Sequence, residues 1–445
     1  MKCGFFEHDI TPKLGMNLPG YFVLRPGTGI LDRPQVRAMA LENGAGSCIV
    51  ISADCLKVTR EMTVRVREEV SRATGAAPDH IMFCATHAHT GGPLQGFCTD
   101  RDDAPHPYAD FLCDRAADAA VLAWQARVPA KIGFGSGSEG GISFIRRYLM
   151  CDGTIRTNPC FNHPDIVRQA GEIDPEVSVI RVDDLAGNTI GIVTNFACHC
   201  DTISGNSFSA DYPGELHRTL KRVYGEQMVS IFLSGATGNI GNCDYQSPEG
   251  QAYFKTLKPR YQMMGRILAG EVIKVLERMT RLADDLPIAV RECSIEAGIR
   301  QPSAEDISQA RAWLAGHPLV EHKIYHKSDL WPCEDSYFAE GVLYVAGLPE
   351  KKCTLTMQVV KLGGTAAIIG LPCELFVELG REIKKGAGCK NVYLSTTTND
   401  DQGYVAVREA YAQGGYETRI NKTTKLEAGT GEQMVRAVLA ALRDL

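Results

Sequence analysis

Two histidines stand two positions apart in Cys-Ala-Thr-His-Ala-His-Thr-Gly-Gly-Pro, where an apolar run ends and a turn begins. In extended chain, side chains two apart point the same way. His87 and His89 can therefore offer two imidazoles to one metal or substrate, with zinc the default metal. The competing reading is one histidine capping a loop and one left in water. Three other segments share this layout. In Thr-Asn-Phe-Ala-Cys-His-Cys-Asp-Thr, His199 follows a strand whose alternation sends Cys198 and Cys200 to the opposite face. Asp201 beside it could orient the ring as an outer carboxylate, although a lone strand-end histidine is more often a satisfied core residue. In Leu-Pro-Cys-Glu-Leu-Phe-Val-Glu-Leu, Glu374 reads as the opening of a helix, where its charge also suits the helix dipole. The fourth segment, residues 399–419, carries Asp400, Tyr404, Arg408, Tyr411, Tyr416 and Glu417, and its tyrosines could simply pack on a surface.

Two loops extend this inventory. Arg146 and Arg147 follow a glycine-rich run, and one could fix an anion. The loop Ser-Gly-Ala-Thr-Gly-Asn-Ile-Gly-Asn lacks the lysine of a phosphate-binding P-loop. His322 and His326 have the i, i+4 spacing of a helical metal pair, with no glutamate between them, and read as a surface pair.

Elements that could position these groups are short apolar runs at 47–52, 80–85, 189–196, 229–233 and 391–395, read as buried strands. Helical spacing runs from Val58 to a stop at Gly75. Further helices are expected from Pro213, over about 260–281, over about 374–385, and at the end of the chain. Residues 354–372 read as a hairpin turning at Gly363-Gly364. Strands and helices alternate early and hairpins come later, which predicts an α/β fold with mixed β-sheets flanked by helices. Residues 303–353, with Trp313 and Trp331, read as a helical and loop insertion over one face of a single 1–445 unit.

The 445 residues, 44% hydrophobic and 22% charged, suit a globular protein. The net charge of −6 and the lack of a basic block argue against nucleic acid as a partner. Glu7, His8 and Asp9 interrupt any leader-like apolar run, and no stretch reaches the ~18–20 apolar residues of a membrane span. A cytoplasmic location is therefore expected, with the sixteen cysteines mostly as thiols. Nothing here decides between a monomer and a homo-oligomer.

The order of the segments resembles the N-terminal catalytic domain of the neutral (alkaline, non-lysosomal) ceramidases and their shorter bacterial relatives. The resemblance begins at residues 8–22 and runs through 28–44 and 50–58. Ala-Thr-His-Ala-His-Thr-Gly-Gly-Pro is similar to that family's first histidine motif, residues 195–216 to its second, 371–383 to its glutamate segment and 403–417 to its tyrosine segment. The resemblance implies one zinc ion per chain held by His87, His199, Glu374 and Tyr404. It implies that His89, Arg146 and Tyr416 face the substrate carbonyl and its oxyanion, and that Gly20, Asp211 and Asn239 contact substrate. The implied activity is a zinc-dependent amidohydrolase using zinc-activated water. The same ligands permit an esterase, lactonase or lyase, a ceramidase-like lipid hydrolase, or a binding protein with a degenerate site. Two departures appear: Gly241 and Asn239 stand where the family has serine and aspartate, and the sequence lacks the family's C-terminal β-sandwich-like domain. Together with the missing leader, these set the expectation of a small, soluble N-acyl substrate.

Overall fold

Eight strands form the larger sheet of the computed structural model, which describes residues 1–22, 24–44, 46–94, 107–248, 259–317 and 330–445. They are β1 (Lys2–Asp9), β2 (Gln35–Asn43), β3 (Gly46–Ala53), β4 (Ile81–Ala85), β5 (Val128–Ser138), β6 (Glu176–Asp184), β7 (Thr189–Phe196) and β8 (Val229–Ser234), in the order β8-β7-β6-β5-β1-β2-β3-β4. A second sheet is built from β9 (Ile288–Gly298), β10 (Lys352–Leu362), β11 (Ala366–Gly370) and, beyond the two-residue β12 (Glu374–Leu375), β13 (Asn391–Ser395). β14 (Tyr404–Val405) pairs with β12.

The two sheets pack face to face. Val50, Met82, Val193 and Ile231 of the first meet Val360, Ile368 and Tyr393 of the second. The outer faces are covered as well. Helices α1 (Arg60–Thr74) and α2 (Pro107–Gln125) bury Val66, Val70 and Leu112 on one half of the larger sheet. Helices α3 (Asp211–Tyr224) and α4 (Arg260–Arg278) bury Leu216, Leu268 and Val272 on the other half. Sheets covered on both faces need unbroken apolar strands, and residues 48–51, Cys-Ile-Val-Ile, supply one: Cys48 and Val50 face the second sheet while Ile49 and Ile51 face the helices. Thr59 caps α1 by accepting from Met62 N at 3.3 Å, and Gly75 ends it in the left-handed conformation at φ 75°.

Within the two large sheets, parallel pairs occur at three places, β3/β4, β7/β8 and β11/β13. Their carboxyl ends meet. Ala85 N donates to Thr397 O at 3.2 Å, and Thr396 N donates to Ser234 O at 2.9 Å. The Asn195 amide donates to Leu233 O (2.8 Å) and Leu394 O (2.7 Å), and its carbonyl accepts from Leu394 N (3.0 Å). One buried side chain thus ties both sheets together beside the strand ends.

The hairpin at Gly363-Gly364 forms as the spacing predicts, with Gly363 at φ 58°. The expected helix at 374 does not begin there. Glu374 N donates to Gly403 O (2.8 Å) and Phe376 N to Val405 O (3.0 Å), so this stretch pairs as strand and helix α7 (Val377–Gly386) starts later. Glu378, not Glu374, is the acid of its first turn. The helix expected to reach 281 ends at Arg278. Within 303–353 lie α5 (Ala304–Gly316), capped by a Ser303–Asp306 capping box, and α6 (Leu330–Gly347), while Lys352 and Cys353 already belong to β10. His322 and His326 lie outside the described residues.

Strand β5 reads Gly-Phe-Gly-Ser-Gly over 133–137, and its glycines let α4 approach closely. A Cβ on Gly135 would lie 2.9 Å from Val275, and one on Gly137 would overlap the Glu271 carboxylate, which accepts from Ser138 N at 2.9 Å. Gly137→Ala should destabilise the protein by ~1–3 kcal/mol through overpacking. Gly270→Ala, on α4 with open space around it, should instead stabilise it by about 0.5–1 kcal/mol. Denaturant titration of both variants measures the contrast, and equal effects would refute close packing as the cause.

Candidate active site

His87 lies two residues beyond β4 and takes the left-handed conformation, φ 65°. The two histidines therefore meet by a turn, not by the extended alternation expected from their spacing. Such backbone costs roughly 1–2 kcal/mol in a residue with a Cβ. Thr86 N donates to Ala53 O (2.9 Å) and Ala88 N to Cys55 O (3.0 Å), which fixes the turn. The His87 ring centroid lies 5.0 Å from that of His89 and 4.6 Å from that of His199. His199 arrives three residues after β7, with Cys198 and Cys200 buried in the core as the alternation predicts.

Each ring has its Nδ1 against a carbonyl: His87 on Leu56 O (2.8 Å), His199 on Thr237 O (3.2 Å), His89 on Gly20 O (3.1 Å). A carbonyl only accepts, so each Nδ1 carries the proton and each neutral ring turns its Nε2 lone pair inward, that of His199 within 3.3 Å of the Arg146 Nη1 donor. His87 Nε2 and His199 Nε2 are 3.1 Å apart. Glu374 Oε2, a buried oxygen with no hydrogen-bond donor, lies 3.2 Å from the first and 3.6 Å from the second. His89 Nε2 is also buried and unpartnered. One ligand atom from each of the three histidines falls within 4.8 Å of the others. Such a cluster of acceptors could hold a metal ion. Burial pushes the His87 pKa down, but the Glu374 carboxylate outweighs it and leaves it raised. Burial, Arg146 and the neighbouring rings hold His199 well below the imidazole range. Glu374 stays ionised, because His87 and Arg146 outweigh its burial. β12 and β14 set Glu374 directly beside Tyr404 in register, and burial followed by Glu374 pushes the Tyr404 phenol well above its usual range.

Arg146 is buried and held on three sides. Nε donates to Glu417 Oε1 (2.8 Å), Nη2 to Gly238 O (2.8 Å), and Nη1 lies 3.3 Å from His199 Nε2. Its guanidinium sits 5.2 Å from the Tyr404 ring and 5.9 Å from the Tyr416 ring. Arg147 donates to Glu417 Oε2 at 2.9 Å, as does Thr157 at 2.8 Å. The anion fixed by the arginine pair is thus the chain's own Glu417. Sequence reasoning had no partner for that carboxylate, although two arginines within the apolar run 142–150 signal a buried counter-charge.

The remaining expected residues divide. Gly20 supports His89 through its carbonyl, and a Cβ there would overlap the ring. The Asp211 side chain accepts from Thr202 N (2.9 Å) and Oγ1 (2.6 Å), and burial raises its pKa to about 6. Asn239 accepts from Val377 N (2.9 Å) and donates to Glu378 (2.9 Å), bracing the start of α7. Asp211 and Asn239 are therefore occupied within the protein. Asp201 does not orient His199, because Thr237 O holds that ring. It lines a cavity of about 490 Å³ that opens on Arg146 and His199. On another side, Phe338 of α6 meets Tyr416 at 5.6 Å, so the 303–353 segment walls the site.

Glu417→Gln leaves two buried arginines short of a counter-charge and should cost ~3–5 kcal/mol. Chemical denaturation checks this, and a loss under 1 kcal/mol would show that Glu417 does not anchor the pair.

No protein-family model matches the chain. Neutral ceramidase A of Dictyostelium discoideum is 23% identical over 220 residues, covering 46% of this chain and 29% of that protein. This chain thus matches under a third of that relative's length. Neutral ceramidase of Pseudomonas aeruginosa is 21% identical over 482 residues, covering 94% of this chain and 68% of that protein. Its crystal structure superposes with a TM-score of 0.71 at 18% identity, over 100% of this chain and 75% of that one. A structure of a ceramidase complexed with C2 gives 0.70 at 17% identity, over the same shares. The chain is similar in sequence to the neutral ceramidases and shares their fold.

Proposed function

We propose that the protein is a zinc-dependent hydrolase of an amide C–N bond in a small N-acyl substrate. The observation that carries this reading is a cluster of buried acceptors: two Nε2 atoms 3.1 Å apart, with the otherwise unpartnered Glu374 Oε2 beside both. Two imidazoles, a carboxylate and the Tyr404 phenol would hold the ion, a donor set suited to zinc. Zinc bound there supplies Lewis acidity for water and for a carbonyl oxygen.

The surrounding side chains divide the remaining work. Arg146, immobilised by Glu417 and Gly238, aims Nη1 at the same point, where a carbonyl oxygen would gain its N–H as charge develops. His89 suits a different role from the oxyanion donor first expected. Its only N–H is spent on Gly20 O, so Nε2 can accept a proton from water and later pass it to the leaving amine. The aromatic wall at Phe338 and Tyr416 suits an acyl group. The cavity on the other side, about 490 Å³, is of the size that holds small molecules.

His199→Ala should lose both metal and activity. His89→Ala should retain about one zinc per chain, since a base is removed and not a ligand, while kcat falls by about 10²–10⁴. Metal analysis with amide hydrolysis assays checks both variants. Full activity in metal-free protein would rule out the metal's role, and zinc loss in His89→Ala would make His89 a ligand.

A further inference from the structure

The larger sheet opens part-way along β5. β1 begins at Lys2 and pairs with β5 only through Val128 and Pro129. Beyond them the Ile132 backbone exchanges two bonds of 2.8 Å with Ala283. At the end of the strand, Ser138 N donates to the Glu271 carboxylate on the same side. Backbone groups alternate sides along an antiparallel strand. Phe134 and Ser136 therefore turn their N–H and C=O groups to that side too, while Gly133, Gly135 and Gly137 pair with Arg181, Val179 and Val177 of β6. Among the described residues no strand or side chain meets the Phe134 and Ser136 backbone there. Ser136 is exposed.

This open edge runs along a groove of about 780 Å³. Val275 and Met279 of α4, with Leu282 and Leu286, give the groove apolar walls. Its charge is one-sided, with Lys274, Arg278, Arg281 and Lys390 set against Glu271 alone. Glu271 is already spent on Lys274 and on Ser138 N. Among the described residues, Arg278, Arg281 and Lys390 have no ion pair. An unpaired edge is a template for another strand. Only a peptide backbone offers donors and acceptors at a strand's spacing. A lipid headgroup or a nucleic acid would answer the cations and leave the edge bare.

We propose that this groove is a docking site for an extended acidic peptide segment of a partner protein, which adds to β5 as a short strand at Phe134 and Ser136 and sets its carboxylates against Arg278, Arg281 and Lys390. Main-chain bonds would supply affinity, and the cations would select for acidic side chains. The groove shares no lining residue with the cavity beside His199. The proposal is therefore independent of the hydrolase reading.

Three fluorescein-labelled probes test it on the full chain: the hexapeptide Glu-Val-Glu-Val-Glu-Val, its Lys-Val counterpart, and the acidic peptide N-methylated at every residue, which keeps the charge and loses the donors. Binding is read by fluorescence anisotropy and by deuterium exchange over residues 133–137. The parent should bind the acidic peptide at least about tenfold more tightly than either control, the worth of one hydrogen bond to a charged group. Exchange over 133–137 should slow on binding. Ser136→Pro removes an outward N–H and no bond to β6, and should abolish binding. The exposed double substitution Arg278→Glu with Arg281→Glu leaves the edge intact and should turn the preference towards the lysine peptide, and this variant decides if the proline variant does not fold. No binding by the parent, binding that survives these substitutions, equal binding of the N-methylated peptide, or binding without protection of 133–137 overturns the proposal. So does a dimer of the free protein in ultracentrifugation that Ser136→Pro disperses, since the edge would then belong to a second copy.

Discussion

Two imidazole nitrogens that face each other at 3.1 Å with lone pairs on both, beside an ionised carboxylate, repel unless positive charge sits among them, and Arg146 Nη1, 3.3 Å from His199 Nε2, supplies part of it. A proton on His87 is the smallest such charge, and its raised pKa expresses that demand. Burial prevents water from answering it. The carbonyls of Leu56 and Thr237 prevent the rings from flipping to answer it themselves. Everything around the site holds an arrangement that would otherwise relax.

The fold supplies that rigidity by bringing the carboxyl ends of three parallel pairs together. Open α/β sheets place ligands at such ends. Here two sheets contribute, locked by Asn195 and by the backbone bonds from Ala85 and Thr396. A one-residue slip of β7 would send Cys198 and Cys200 towards the site and His199 into the core. The apolar packing on both faces of that strand forbids the slip.

Much of this was legible in the chain. Continuous apolar runs marked the strands, because strands covered on both faces need them, and the histidines stood just past their ends. What was missed depended on backbone the pattern cannot show. The left-handed turn at His87 looks like plain strand in sequence. Glu374 reads as helical because Leu375 to Ile383 is amphipathic, yet its pairing with residues 403–405 comes from a segment far along the chain. Asp201 looked like a partner for the ring beside it, and only the fold reveals that Thr237 already fills that place. Glu417 was one acid in a polar stretch until the fold set it against Arg146 and Arg147.

The candidate ligands are spread from residue 87 to residue 404, and none of the four has another within a hundred residues except Glu374 and Tyr404. Their assembly is therefore a property of the finished topology. Non-local contacts of this kind form slowly, since long loops must close before the contact rewards them. During synthesis the first two histidines emerge well before Glu374 and Tyr404, and they can offer an early metal ion only half a shell. A complete shell exists only once both sheets have packed. The free energy of metal capture would then be added to the global fold and not to any part of it, so that loading would act as a check on completed folding.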